Sequence, residues 1–251
     1  MLSVAKWSSP FLRESVGEFL APAGPRTAGS EVLLLRLISL PGDSDPGAEV
    51  RQLPVHVREL RARHPGSPVA VWIAEAPLQV VADAARSAAG AQVRAILGGD
   101  APDPDVLRAQ LTHPLDLSSF VLRWASDAGY LPPGVEQDDV RELLDAAPDV
   151  RTLERLSLNR QVAARTWRSR LQQMGLPNPR AWLALAHALH VAFFVQRNST
   201  EPLHLLSERL GMLTVANMSQ QFRRVFGLSP GQVRELLGAE PLLHRWFQNR
   251  A

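Results

Sequence analysis

Leu153-Glu154-Arg155-Leu156-Ser157 and, fifty positions later, Leu203-His204-Leu205-Leu206-Ser207 carry the same spacing of leucine and serine. A short helix, a tight turn and a second helix fit the residues that follow each copy, and the small serine lets two helices approach closely. The repeat therefore predicts two helix-turn-helix units in the C-terminal part of the chain.

The second helix of each unit is predicted from apolar residues at helical spacing. Trp167 and Leu171 recur as Met218 and Phe222 at an offset of fifty-one, so the second copy has one extra residue in its turn. Each copy then closes with Gly-Leu and a nearby proline. This pattern predicts second helices over residues 163–173 and 214–225, with their apolar sides turned inward.

The other sides of these two helices carry side chains that can contact base edges in a major groove. Arginine pairs with guanine, asparagine or glutamine with adenine, and a small apolar group with the thymine methyl. Residues near the start of such a helix are the better candidates, because that part enters the groove. The candidate DNA-binding residues are Arg165, Thr166, Arg168, Ser169, Thr214, Val215, Asn217, Ser219, Gln220 and Arg223. Among them, Arg168 and either Asn217 or Gln220 are expected to read bases. Arg223 and its neighbour Arg224, late in their helix, are expected to contact phosphates or to be solvated.

A helical linker is predicted between the two units. Asn178 can cap this helix, Pro179 suits its first position, and the alanine and leucine run supports about 18 residues. A length of about 27 Å could set the two units in successive major grooves, about 34 Å apart. His187 and His190 lie three positions apart, but no third metal ligand is evident, so packed or solvated histidines are expected.

The second copy, with its Phe222-Arg223-Arg224 and Phe226-Gly227-Leu228-Ser229-Pro230, resembles the DNA-binding domain of the AraC/XylS family of bacterial transcription regulators. The resemblance covers residues 150–238 and departs at Met212 and Met218, where that family usually has phenylalanine. It implies sequence-specific binding of double-stranded DNA, with RNA polymerase and a second copy of the chain as further partners. The alternative is a helical domain in which the apolar stripe is core only.

Charge changes sign near residue 150. Residues 151–251 contain 14 arginines against five glutamates, a net charge of +9, whereas residues 1–150 carry −7. The basic part has the charge of a phosphate-binding surface. Residues 150–251 alone are therefore expected to bind DNA, with the acidic part as a separate domain.

The N-terminal part alternates strand and helix signals. Apolar strands are predicted at 31–40, 69–74 and 93–97, with helices at 54–64, 78–89 and 104–111, the last capped by Asp103. A helix is expected at 11–20 and a short strand at 3–7. Buried strands separated by helices predict a small parallel sheet in an α/β domain.

In element order, residues 1–114 are similar to a shortened, degenerate receiver domain of the response-regulator type. That resemblance would place a phosphorylated aspartate at the end of Leu37-Ile38-Ser39-Leu40-Pro41, where there is none, a hydroxyl residue near Ala74 and a lysine near Gly98. An acidic pair for magnesium is also missing near residues 3–10. We therefore expect a regulatory domain without phosphotransfer. Asp43 and Asp45 are expected to be solvated, and Gly98-Gly99-Asp100 to be a simple turn.

Residues 115–149 are interpreted as a helical connector, and residues 239–251 as a C-terminal tail. Leu117, Phe120, Val121 and Trp124 form an amphipathic stripe that is either core within one domain or a dimer interface. A second, acidic helix is predicted at 135–146.

Several classes of protein are disfavoured by what the sequence lacks. It has no cysteine for disulfides or zinc, no run of 18 apolar residues and no signal-peptide core, which fits a cytoplasmic location. No phosphate loop, nucleophile elbow or metal triad is present, so neither catalysis nor a cofactor is expected. The preferred interpretation is a DNA-binding transcription regulator. An α/β enzyme or small-ligand-binding protein with a helical accessory domain is the alternative, and an architectural DNA-binding protein is the third candidate.

Overall fold

The chain forms two compact units, residues Met1–His113 and Pro114–Ala251, in a computed structural model. The structure describes residues 12–16, 33–38, 46–74, 78–91, 93–98, 104–112, 116–132, 137–147, 149–150, 152–212 and 214–250. The expected strand at 3–7, the receiver-type positions at 3–10 and 39–41, and Asp43, Asp45, Gly99, Asp100 and Asp103 lie outside these residues.

The first unit is a four-stranded sheet with three described helices. In chain order its elements are strands β1 (Leu12–Val16) and β2 (Leu33–Ile38), helix α1 (Pro46–Arg63), strand β3 (Val69–Ala74), helix α2 (Leu78–Gly90), strand β4 (Ala95–Gly98) and helix α3 (Pro104–Leu111). The strands lie in the order β1-β2-β3-β4. Strands β2, β3 and β4 are parallel, with Leu33 opposite Val69 and Ala70 opposite Ala95.

The expectation of a helix at residues 11–20 was wrong, because residues 12–16 form strand β1. This strand pairs antiparallel with β2, with Leu12 opposite Leu37 and Val16 opposite Leu33, so the sheet is mixed and not purely parallel. Leu12 and Val16 are four positions apart, a spacing that one face of a helix and one face of a strand both allow. Pairing with β2 decides between the helix and the strand.

One core of the first unit lies where α1 and α2 pack against alternate residues of β3, which are Val69, Val71 and Ile73. Helix α1 begins at Pro46, two turns before the expected start at Pro54. Because proline is common in the first turn of a helix, Pro54 led to a predicted start that is too late. Burial of Val50 and Leu53 explains the longer helix, because they continue the buried face of Val57 and Leu60.

The second unit is entirely helical in its described residues. Its helices are α4 (Leu117–Asp127), α5 (Asp138–Ala146), α6 (Leu153–Arg160), α7 (Ala164–Gln173), α8 (Pro179–Arg197), α9 (Leu203–Arg209), α10 (Val215–Phe226), α11 (Pro230–Glu235) and α12 (Glu240–Gln248). Helices α7 and α10 have the bounds expected for the two second helices to within one residue. None of the described helices is both long enough and apolar enough to cross a membrane.

Helices α4, α5 and α12 share one core with the rest of this unit, so the expected connector and tail are not separate segments. The stripe of Phe120, Val121 and Trp124 is buried within the unit. Of the two alternatives for this stripe, the structure therefore shows core within one domain and not a dimer interface. From the C-terminal end, Phe247 stacks on Tyr130 at 4.5 Å between ring centres, and Trp246 packs on Trp182 at 4.8 Å. Aromatic pairs of this kind add to the burial of large apolar areas.

The two predicted copies have the same backbone signature. After α6 the chain turns through Gln161 at φ 55°, and after α9 it turns through Gly211 at φ 64°. Residues 162–163 then lead to α7, whereas residues 212–214 lead to α10, so the extra residue of the second copy follows the left-handed position. A left-handed glycine follows the end of both second helices, Gly175 at φ 69° and Gly227 at φ 70°.

Helix α8 lies between the two copies and contacts α5, α6, α7, α9, α10 and α11. The expected cap is confirmed, because the Asn178 side chain accepts a hydrogen bond from the Ala181 amide at 3.0 Å and Pro179 starts the helix. Near the other end, the buried Gln196 amide donates to the carbonyls of Val233 and Gly238, at 3.3 and 3.1 Å. These bonds attach the segment after the second copy to the central helix.

Candidate nucleic-acid interface

Helix α7 presents a polar face opposite the residues that anchor it. Trp167 and Leu171 are fully buried, as their spacing predicted. Arg165, Arg168 and Ser169 are exposed, and Thr166 is half-buried. The four candidate side chains of the first copy are therefore all accessible to a ligand.

Helix α10 has the same division. The Thr214 hydroxyl caps it by accepting a hydrogen bond from the backbone N–H of Asn217 at 3.3 Å. Met218 and Phe222 are fully buried. The exposed candidates of this copy are Thr214, Asn217, Gln220 and Arg223, and the half-buried ones are Val215 and Ser219. Thr214 also has a structural role, since its hydroxyl satisfies a backbone donor at the helix start.

Ion pairs separate the arginines of the second unit into two groups. Among the described residues, Arg165, Arg168, Arg223 and Arg224 have no carboxylate within ion-pair distance. Paired arginines include Arg160 with Glu142, Arg170 with Asp139, Arg180 with Glu154 and Arg209 with Glu201. An unpaired, exposed guanidinium can bind an anion without first breaking an internal contact.

Helix α5 accounts for part of this division. Its Asp139 lies 3.1 Å from Arg170 and its Glu142 lies 2.9 Å from Arg160, so the acidic helix neutralises one side of the first copy. The whole unit, residues 114–251, carries 16 arginines against 13 acidic side chains, a net charge of only +3. Its capacity to attract phosphates therefore depends on how charge is arranged on its surface more than on the total.

A groove of about 750 Å³ runs along α8 between the start of α6 and one face of α10. Asn217 and Gln220 line it together, whereas Arg223, Ser219 and the four candidates on α7 do not. Its lining residues are Thr152, Leu153, Glu154, Arg180, Leu183, Ala184, His187, Val191, Leu210, Gly211, Met212, Asn217, Gln220, Gln221, Arg224 and Val225. The two amide side chains expected to read bases thus share one surface with Arg224.

Arg180 and Glu154 are residues of this surface that the sequence did not single out. The hydrogen bond from Arg180 holds the pKa of Glu154 below its ordinary value, and the charges of Arg180 and Arg168 act in the same direction. Arg224, which the sequence separated from the base-reading residues, lies on the same helix face as Asn217 and Gln220.

Helix α8 carries the two histidines, His187 and His190. His187 makes a hydrogen bond through Nε2 to the Val150 carbonyl at 3.0 Å, which attaches α8 to the residues preceding α6. Within the described part of the chain, no three histidine or acidic side chains cluster as metal ligands. His187 therefore has a packing role.

Comparison with protein-family models, with curated proteins and with solved structures found no match to this chain.

Proposed function

We propose that this protein is a sequence-specific DNA-binding transcription regulator. In this proposal α6–α7 and α9–α10 are helix-turn-helix units of the AraC/XylS type, and α7 and α10 enter successive major grooves. The observation that carries the proposal is the repeated backbone signature on either side of α8, with an exposed polar face on each second helix.

The distribution of ion pairs supports the same function. The three arginines that the sequence predicts as DNA contacts, Arg165, Arg168 and Arg223, have no carboxylate partner in the part of the chain that the structure describes. Asparagine and glutamine on α10 are suited to adenine, and arginine on α7 to guanine. The first unit, in this proposal, controls or pairs the DNA-binding units and is not phosphorylated.

Binding of the full-length protein to DNA tests the proposal. We expect it to select a defined duplex sequence from a random library, and the affinity to fall steeply between 50 and 200 mM salt, because about one counterion is released for each phosphate neutralised. Gel-shift titrations against the selected and a scrambled duplex measure both effects. Equal affinity for the two duplexes would favour an architectural protein, and no binding at low salt would refute DNA binding.

A further inference from the structure

The C-terminal ends of α10 and α12 lie side by side. Gly227 caps the end of α10, and an added Cβ atom there would lie 3.5 Å from the Asn249 side-chain amide. Asn249 follows α12 directly, and the two helices are in contact. Arg224 in the last turn of α10 and Arg250 just after α12 therefore belong to one region of the surface.

Arg250 is held in place by an aromatic ring. Its guanidinium carbon lies 4.6 Å from the centre of the Trp246 ring, which is itself fully buried. A guanidinium stacked on a fixed ring retains its charge and its donors while losing much of its conformational freedom. Binding of an anion to Arg250 would therefore cost little further side-chain entropy.

Arg224 and Arg250 repel each other in the absence of an anion. Burial, and then the charge of Arg224, lower the pKa of Arg250 from its ordinary value. Within the described ranges, neither arginine has a carboxylate at ion-pair distance, in contrast to Arg160, Arg170 and Arg180. Two cations that share a surface form a favourable environment for a phosphate group.

Arg224 connects this pair to the proposed DNA-reading surface. It lines the same groove as Asn217 and Gln220, which lie seven and four positions earlier on α10. A DNA strand whose bases meet those amides would pass its backbone near the end of the helix.

We propose that Arg224 and Arg250 together bind one phosphate of the DNA backbone, so that α12 adds a contact beyond the two helix-turn-helix units. The proposal rests on the DNA-binding function proposed above. Both arginines also lie at helix C-termini, where a cation stabilises the helix dipole. That role alone would change thermal stability and leave DNA binding unaltered, so DNA binding and stability must both be measured.

The test compares full-length R224Q, R250Q and the double variant with wild type on the duplex selected by wild type. Each variant should lower the slope of log affinity against log salt by about one, and the double variant should lower it by no more, because one phosphate is shared. Binding at 50 mM salt should weaken about three- to tenfold on selected and scrambled duplexes alike. R160Q is the matched control, since it removes an exposed arginine that is paired with Glu142, and its slope should equal that of wild type.

Duplexes with a single uncharged methylphosphonate linkage identify the phosphate. At one position the neutral linkage should weaken wild type about three- to tenfold and should not weaken the double variant further. Two results would overturn the shared contact while leaving DNA binding intact. One is a salt slope for R250Q equal to that of wild type. The other is that every neutral linkage that weakens wild-type binding also weakens binding by the double variant. Millimolar inorganic phosphate is also tested as a competitor against chloride at equal ionic strength. If phosphate weakens DNA binding more than chloride does, and no neutral linkage has an effect, the arginines form a free-phosphate site and the proposal is refuted. A wild-type protein that binds no duplex would refute both this proposal and the function on which it rests.

Discussion

Arg168 and Arg170 lie two positions apart on α7, but their surroundings differ. Arg170 forms an ion pair with Asp139 of α5, whereas Arg168 is exposed and without a carboxylate partner among the described residues. Two residues correspond to about 200° around a helix, so the two guanidiniums leave α7 on different sides. Arg168 can therefore be tested for base reading, with Arg170 as the control.

Arg168→Ala should relax the preference at one base position and lose about 1–3 kcal/mol against the preferred base. Gln220→Ala should relax a second position about one helical turn of DNA away, if α7 and α10 lie in successive grooves. Selection of binding sites from a random library with each variant measures both effects. Arg170→Ala should select the wild-type motif. If it instead alters a base position while Arg168→Ala does not, the assigned face of α7 is wrong.

Gln161 is a second residue whose environment makes a measurable prediction. It has a left-handed backbone at φ 55°, and its counterpart in the second copy is Gly211 at φ 64°. A side chain in that conformation costs about 1 kcal/mol, which glycine avoids. Gln161→Gly should therefore stabilise the protein by about 0.5–1 kcal/mol and Gly211→Ala should destabilise it by a similar amount. Chemical denaturation measures both, and destabilisation by Gln161→Gly would contradict the turn geometry.

At the scale of helices, the second unit depends on elements outside the repeat. Trp124 of α4, Leu143 of α5 and Trp246 of α12 are fully buried in the core that the repeat also uses. Truncation of one such large side chain typically costs about 3–5 kcal/mol, a large part of the stability of a domain. Removal of whole helices should therefore be more damaging than removal of any DNA contact.

The shared core determines which fragment should be isolated. Residues 150–251, which the charge division suggested, lack α4 and α5 and would expose the faces of α8 that contact α5. Residues 114–251 should unfold cooperatively on heating, whereas residues 150–251 should show no cooperative transition. Circular dichroism melting curves compare the two fragments, and a cooperative transition in the shorter one would show that α4 and α5 are dispensable.

At the scale of the whole chain, the first unit has an α/β fold with no phosphotransfer residues at the positions that the receiver resemblance implies. Acetyl phosphate with magnesium should therefore leave the full-length protein unmodified, as read by intact-mass spectrometry. A receiver domain with its acceptor aspartate is the positive control in the same reaction. One added phosphate mapped to an aspartate in residues 31–45 would show that the strands were aligned incorrectly with the receiver pattern.

The sequence by itself determined the two second helices of the repeat and which of their residues are buried. Trp167, Leu171, Met218 and Phe222 recur at helical spacing, and long periodic segments identify their buried face without any knowledge of the partner. The ten candidate DNA-binding residues were likewise found exposed or half-buried, because the face opposite a buried stripe is accessible. Their contact with DNA stays a prediction.

Only the tertiary structure decided the features that depend on residues far apart in the chain. The identity of β1 required its pairing with β2, since a five-residue segment with apolar ends is compatible with a strand or a helix. The incorporation of α4, α5 and α12 into one core required the positions of α8 and its neighbours. The pairing of Arg170 but not Arg168, and the placement of Arg250 beside α10, arise from contacts between helices, which residue spacing along a single helix does not encode.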